Sequence, residues 1–153
     1  LREVLAAADL LKADWKVHSD VWSLTSVNEL RKDALSCSRW NRLHPTEKPR
    51  QPYVTQQLQG REGPVIAATD YMMSYTDQLR EFIPQRYVTL GTDGFGRSDT
   101  REKLRRHFEV DRHSIVVATL KALADEGKVK PADVAKAIKK YNIDADKPDQ
   151  WTV

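Results

Sequence analysis

The apolar run Tyr87-Val88-Thr89-Leu90 leads straight into Gly91-Thr92-Asp93-Gly94-Phe95-Gly96-Arg97-Ser98-Asp99, and a helical pattern follows. This order reads as strand, tight turn, helix. In open α/β sheets, ligands and neighbouring domains meet the fold at the carboxyl ends of strands, so the turn is the first place to look for function. Its glycines mark backbone positions that side chains would obstruct. Asp99 is expected to cap the helix, with Glu102 completing a capping box.

A phosphate cradle is a poor reading of this turn. The order is G-x-x-G-x-G, not the dinucleotide G-x-G-x-x-G, and no G-K-[ST] follows. Asp93 and Asp99 place two carboxylates where a phosphate would sit, and Arg97 offsets only one of them. A structural turn that docks on a neighbour is the preferred reading.

Elsewhere, short apolar runs alternate with helical patterns. Leu1, Val4, Leu5, Ala8 and Leu11 share one face of a helix ending near Asp14, and Lys16–Leu24 reads as an imperfect buried strand. Ser26-Val27-Asn28-Glu29 is a capping box that opens a second helix running at most to Leu43. His44–Pro52 is a proline-rich loop, and a short helix over Tyr53–Gln59 stops at Gly60. Pro64–Asp70 reads as a central parallel strand, and Tyr71–Ile83 as an amphipathic helix ended by Pro84. After the glycine turn, helices are expected over Asp99–Phe108, His113–Glu126 and Ala132–Asn142. Asp111 caps the second, Gly127 ends it, and Pro131 opens the third. Residues 144–153 form a polar tail with an exposed Trp151. Strands separated by helices imply a parallel sheet between helical layers, here with three visible strands.

The 153 residues fit one domain, and an apolar fraction of 40% is enough for a core. With 25 basic and 22 acidic residues the net charge is only +3, too small to indicate nucleic acid. No stretch reads as a membrane span or a signal peptide. Cys37 is the single cysteine, which excludes an internal disulfide and fits a reducing cytoplasm. The chain opens at Leu1, inside a helical pattern, as a piece of a longer protein would.

Self-contained chemistry is not legible. His18, His44, His107 and His113 lack metal-ligand spacing, and Cys37 has no adjacent base. Asp70 and Asp93 follow two strands and could do acid–base work, but capping or pairing with Arg97 explains them better. Arg101, Lys103, Arg105 and Arg106 read as a solvated helix face, with a docking patch for an acidic partner as the lesser reading. Tyr71, Tyr75 and Phe82 form a packing stripe.

Several segments together are specific. Leu1–Ala8, Ser19-Asp20-Val21-Trp22-Ser23, Arg39-Trp40-Asn41 with Leu43-His44-Pro45, Thr69–Met72, Leu90–Ser98 running to His107–Asp111, and Tyr141–Lys147 closely resemble the carboxyl-terminal domain of the homodimeric-type pyruvate dehydrogenases, a transketolase-like domain. The resemblance keeps their order and covers essentially the whole chain. It implies a three-layer α/β/α domain with a mostly parallel five-stranded sheet, the first strand lying before Leu1. It implies a parent enzyme of three domains that uses thiamine diphosphate and magnesium to decarboxylate pyruvate and acetylate a lipoyl group, as a cytoplasmic homodimer. The partners implied are the other domains of the chain, a second identical chain and a lipoyl acetyltransferase; neither nucleic acid nor a membrane is expected. Cofactor and catalytic residues belong to the first two domains, so none is assigned here. Asp70, Gly91, Asp93, Gly94, Phe95, Gly96, Arg97, Ser98 and Asp99 are assigned a structural or domain-contact role. The open alternatives are an independent interaction module acting through Arg101–Arg106, a small-ligand site at the glycine turn, and the same domain of another thiamine-dependent enzyme.

Overall fold

The computed structural model describes residues 1–152. Two four-residue strands, β1 (Val65–Ala68) and β2 (Tyr87–Leu90), pair in parallel with Val65 opposite Tyr87 and Ala68 opposite Leu90. Side chains alternate across a strand, so this short sheet presents two different faces.

On one face, Ala68 and Leu90 pack against a core built from three helices. These are α1 (Arg2–Trp15), α6 (Arg112–Asp125) and α7 (Pro131–Lys140), contributing Ala7, Leu11, Ile115, Val116, Leu120, Val134 and Ala137. On the other face, Val65, Ala67 and Tyr87 meet Val27 and Ala34 of α2 (Val27–Leu43), Val54 of α3 (Tyr53–Leu58), and Leu79, Phe82 and Ile83. The α/β/α layering expected from the alternation of elements is present.

Local chemistry sets most boundaries. Ser26 accepts the Glu29 N–H and starts α2, and Asp111 accepts the Ser114 N–H and starts α6. Gly127, at φ +73°, follows the end of α6, and Pro131 opens α7.

Two expectations fail. Lys16–Leu24 is not a strand: Lys16 turns into the left-handed region at φ 57°, and the Val17 N–H bonds back to the Leu11 carbonyl. From residue 18 to 25 no backbone–backbone hydrogen bond is made among the described residues. A strand needs a ladder partner, and among the described residues this segment has none. Instead Arg61 holds it from the side, paired with Asp20 at 2.7 Å and lying 4.7 Å from the Trp22 ring. The visible sheet therefore has two strands, not three.

Tyr71–Ile83 also breaks in two. Helix α4 covers only Met73–Asp77, and a 3₁₀ turn covers Arg80–Phe82. The Tyr71 carbonyl is engaged by the Thr92 N–H, so it does not enter a helical ladder. Further on, the Leu79 N–H reaches the Thr76 carbonyl, three residues back, which tightens the chain. Tyr75 and Phe82 join the core as a packing stripe would, whereas Tyr71 stands in solvent.

Candidate functional site

At the carboxyl ends of β1 and β2, two loops close on each other. The Asp70 carbonyl accepts from Thr92 Oγ1 at 2.9 Å, and the Tyr71 carbonyl accepts from the Thr92 N–H at 2.9 Å. Asp93 Oδ2 accepts the Met73 N–H at 2.8 Å, which satisfies an otherwise free donor at the start of α4. Asp93 thus engages the start of the preceding helix α4, not the helix that follows it, which Thr100 caps.

The glycines divide by mechanism. A Cβ on Gly91 would stand 2.6 Å from the Met73 nitrogen and 2.7 Å from the Tyr71 oxygen, so the two loops approach as closely as backbone allows. Gly94 sits at φ +106°, and a Cβ there would stand 2.4 Å from the Gln150 carbonyl oxygen. Gly96 differs. Nothing lies within 4 Å of its Cβ position and its φ is not left-handed, so obstruction does not explain it.

The tail is part of the turn. Gln150 is buried, and its Nε2 donates to the Gly91 carbonyl at 3.2 Å. Trp151 beside it is exposed, as the sequence indicates. Lys147 Nζ donates to the His107 carbonyl at 2.7 Å and pairs with Glu109 at 3.1 Å. Nothing in the composition of residues 144–153 announces this packing.

The cap of helix α5 (Arg101–His107) lies one residue later than expected. Thr100 is the cap and accepts the Lys103 N–H, while Asp99 Oδ1 accepts the Thr100 N–H at 2.7 Å. Thr100 lies in the extended region at φ −62°, ψ 150°, which fits a cap. Asp99 therefore steadies the cap without being it.

The basic run on α5 is not a uniform solvated face. Arg105 turns inward between Glu3 at 3.5 Å and Asp70 at 3.8 Å. Arg106 donates to the Tyr141 and Asn142 carbonyls and approaches Asp111 at 3.6 Å. Glu3 also takes Arg112 in two contacts at 2.9 and 3.1 Å, and the Arg112 hydrogen bond holds its carboxyl below the usual carboxylate range. Arg101 and Lys103 remain outward, and Ser98 makes no hydrogen bond among the described residues.

Between these pieces lies an open cleft of about 380 Å³, lined among others by Asp70, Phe95, Arg97, Arg101 and Arg105. The pocket a ligand at the turn would require is therefore present. Phe95 is 72% exposed at its rim. His107 closes α5 with its Nε2 buried and unpartnered among the described residues, and burial, followed by Lys147 and Arg97, pushes its pKa down. Cys37 is far from this cleft, in the α2 layer. Burial and Asp33 raise its thiol pKa, which opposes a nucleophile.

A magnesium diphosphate does not fit the residues gathered here. No cluster of three or more His, Cys, Asp or Glu side chains able to hold a metal forms among the described residues. The turn's two carboxylates are engaged by the N–H groups of Met73 and Thr100. No helix is long and apolar enough to cross a membrane.

Comparison with known proteins agrees with this architecture. Residues 1–111 match the family described as the transketolase-like TK C-terminal domain. The chain is 57% identical over 152 residues to the pyruvate dehydrogenase E1 component of Cupriavidus necator, covering 99% of this chain and 17% of that protein. It is 59% identical over 148 residues to the protein of that name from Pseudomonas aeruginosa, covering 96% and 17%. For the Escherichia coli protein the figures are 52% over 148 residues, 96% and 16%. The chain thus spans about 17% of the length of the first two of these relatives. The matches to these relatives run past residue 111 and take in α6 and α7, and the family match over residues 1–111 makes the chain a member of the transketolase-like TK C-terminal domain family.

Proposed function

We propose that this chain is the carboxyl-terminal assembly domain of a pyruvate dehydrogenase that uses thiamine diphosphate. The full polypeptide decarboxylates pyruvate and passes the acetyl group to the lipoyl group of an acetyltransferase. In this reading the cofactor and its magnesium bind outside residues 1–153, and the domain acts by packing against the rest of its own chain and a second identical chain, in the cytoplasm.

The observation that carries the reading is the apolar surface. Trp22, Leu24, Leu35, Leu43, Tyr53, Tyr71, Met72 and Phe95 are each between 46% and 72% exposed in a chain with a well-formed core. Isolated exposed apolar residues are ordinary, but here they recur on α2 and α3 (Leu35, Leu43, Tyr53), within residues 18–25 (Trp22, Leu24) and on the strand-end loops (Tyr71, Met72, Phe95), with Leu1, Leu5 and Trp151 exposed as well, and apolar surface of this extent supports contact with protein. Residues 18–25, without backbone–backbone partners among the described residues, fit a position beside a further strand of the larger protein.

The test is an intact-mass measurement and a pyruvate-decarboxylation assay on the natural source protein, with thiamine diphosphate and magnesium added. A much longer polypeptide with turnover is the expected result. Turnover by a chain of only these 153 residues would overturn the assignment of chemistry elsewhere. In the full-length enzyme, His107→Ala and Cys37→Ala should leave turnover largely intact; a collapse with normal assembly would reveal a catalytic role.

A further inference from the structure

The cleft at the strand ends carries positive charge that the domain itself does not neutralise. Of its three arginines, Arg105 is held between Glu3 and Asp70 and is accounted for. Arg97 and Arg101 line the same cleft and make no ion pair among the described residues. Beside them stands Phe95, 72% exposed. Arginine and aromatic side chains together are the residue types enriched where proteins bind proteins.

We infer that the Arg97–Arg101 cleft receives an aspartate or glutamate from a protein segment of the same enzyme outside residues 1–153, with Phe95 packing against that segment. The inference rests on the assembly reading above and names one contact through which assembly occurs. Charge complementarity selects the carboxylate, because the planar guanidinium matches it in two parallel hydrogen bonds. The exposed Phe95 selects a protein segment over a small anion, which would fill the charged floor and leave Phe95 in water. The Asp70 carboxylate at the cleft wall also opposes a free anion with no other contacts. The chain spans about 17% of its relatives, so most of the protein that such a domain could meet lies outside it.

The test uses the full-length enzyme. Arg101→Lys places a primary amine in the cleft, and a zero-length carbodiimide reagent joins an amine to a carboxylate in direct contact. Peptide mapping should find a cross-link from position 101 to an aspartate or glutamate of the enzyme outside these residues. A cross-link confined to Asp70 or Asp99, or one to the acetyltransferase component, would overturn the inference. So would no cross-link at all in an active, assembled enzyme. The double variant Arg97→Glu with Arg101→Glu should raise amide exchange over residues 92–105 by about tenfold, the size of a lost local contact; unchanged exchange in a folded variant would overturn it. Protection of that segment in the wild type by added inorganic phosphate, lost in the double variant, would make the cleft a small-anion site and refute the protein-segment assignment. An enzyme that forms the expected cross-link yet does not turn over pyruvate would sink the functional reading and leave the cleft contact standing.

Discussion

The two helical layers flanking the sheet are built to different standards. The layer of α1, α6 and α7 is closed: Leu120 and Val116 are fully buried, and side chains far apart in sequence lock the helices together. Trp15 Nε1 donates to Tyr141 Oη at 2.9 Å, Tyr141 Oη donates to Asp14 at 2.9 Å, and Lys140 pairs with Asp14 at 2.6 Å. The layer of α2 and α3 is open. Helix α2 has 17 residues, yet only Val27 and Ala34 are buried, and Leu35 and Leu43 face water. One layer stabilises the domain, and the other is finished on one side only. In the assembly reading the outer leucines of α2 meet a second partner, and Leu5 on the outer face of α1 is the one exposed leucine within the helices of the closed layer.

The largest effect that would test this contrast is in the closed layer. Leu120→Ala should destabilise the domain by about 2–5 kcal/mol, because the removed atoms leave a cavity that tightly packed neighbours do not fill. Amide exchange in α6 of the full-length enzyme reads it, and an effect below about 1 kcal/mol would deny that this layer is the stabilising one.

Gly94→Val comes next, at roughly 1–3 kcal/mol, from a left-handed backbone and a collision with the Gln150 carbonyl. Gly96→Val should be nearly silent by the same thermal-unfolding measurement. Equal losses at both positions would remove the distinction between them.

A third change probes the charge network of the closed layer. Glu3→Gln should cost about 1 kcal/mol, since Glu3 joins α1 to Arg112 while remaining partly in contact with water. It also sets a pH dependence. The Glu3 carboxyl lies below its ordinary value because of Arg112, and the Asp14 carboxyl lies below its own because of Lys140 and Tyr141. Depressed carboxylates stabilise the fold above their unfolded values and lose that contribution as the pH falls through the folded ones, so the loss starts below about pH 4. His107, with its pKa pushed down, acts in the same direction from about pH 6.5 downward. Melting temperature against pH should fall on the acid side, and Glu3→Gln should flatten the fall. An unaltered slope would assign the acid sensitivity to other groups.

The smallest stability effect belongs to the open layer. Leu35→Ser should shift domain stability by no more than about 0.5 kcal/mol, while weakening the assembled enzyme in sedimentation. A large loss of domain stability, or no change in assembly, would erase the contrast between the layers.

The sequence made much of this legible where a local signal decided the outcome. Ser26, Asp111 and Pro131 each act through neighbours within a few residues, and each stands where sequence reading places it. Tyr87–Leu90 and its glycine turn were equally plain. What escaped depends on partners remote in sequence. Lys16–Leu24 has the composition of a strand, but strand formation is decided by a neighbouring ladder. Arg105 and Arg106 look like surface charge until Glu3, Asp70 and the Tyr141 carbonyl are brought beside them. The capping role of Asp93 needed the position of Met73, twenty residues away. At the turn, Arg97 reads as offsetting a carboxylate and Arg101 as part of a solvated face; that both line one cleft without an ion pair among the described residues depends on the fold.

The clasp between Trp15 and Tyr141 spans 126 positions of chain, and it governs the order of events during synthesis. Helix α1 emerges from the ribosome with Ala7 and Leu11 exposed, and its partner residues in α6 and α7 do not yet exist. At about 5–20 residues per second, Tyr141 follows Trp15 by roughly 6–25 s. For that interval the apolar stripe of α1 is a target for chaperones and for neighbouring nascent chains. The closed layer, the more stable of the two once made, is therefore the one that most needs protection while it is being made.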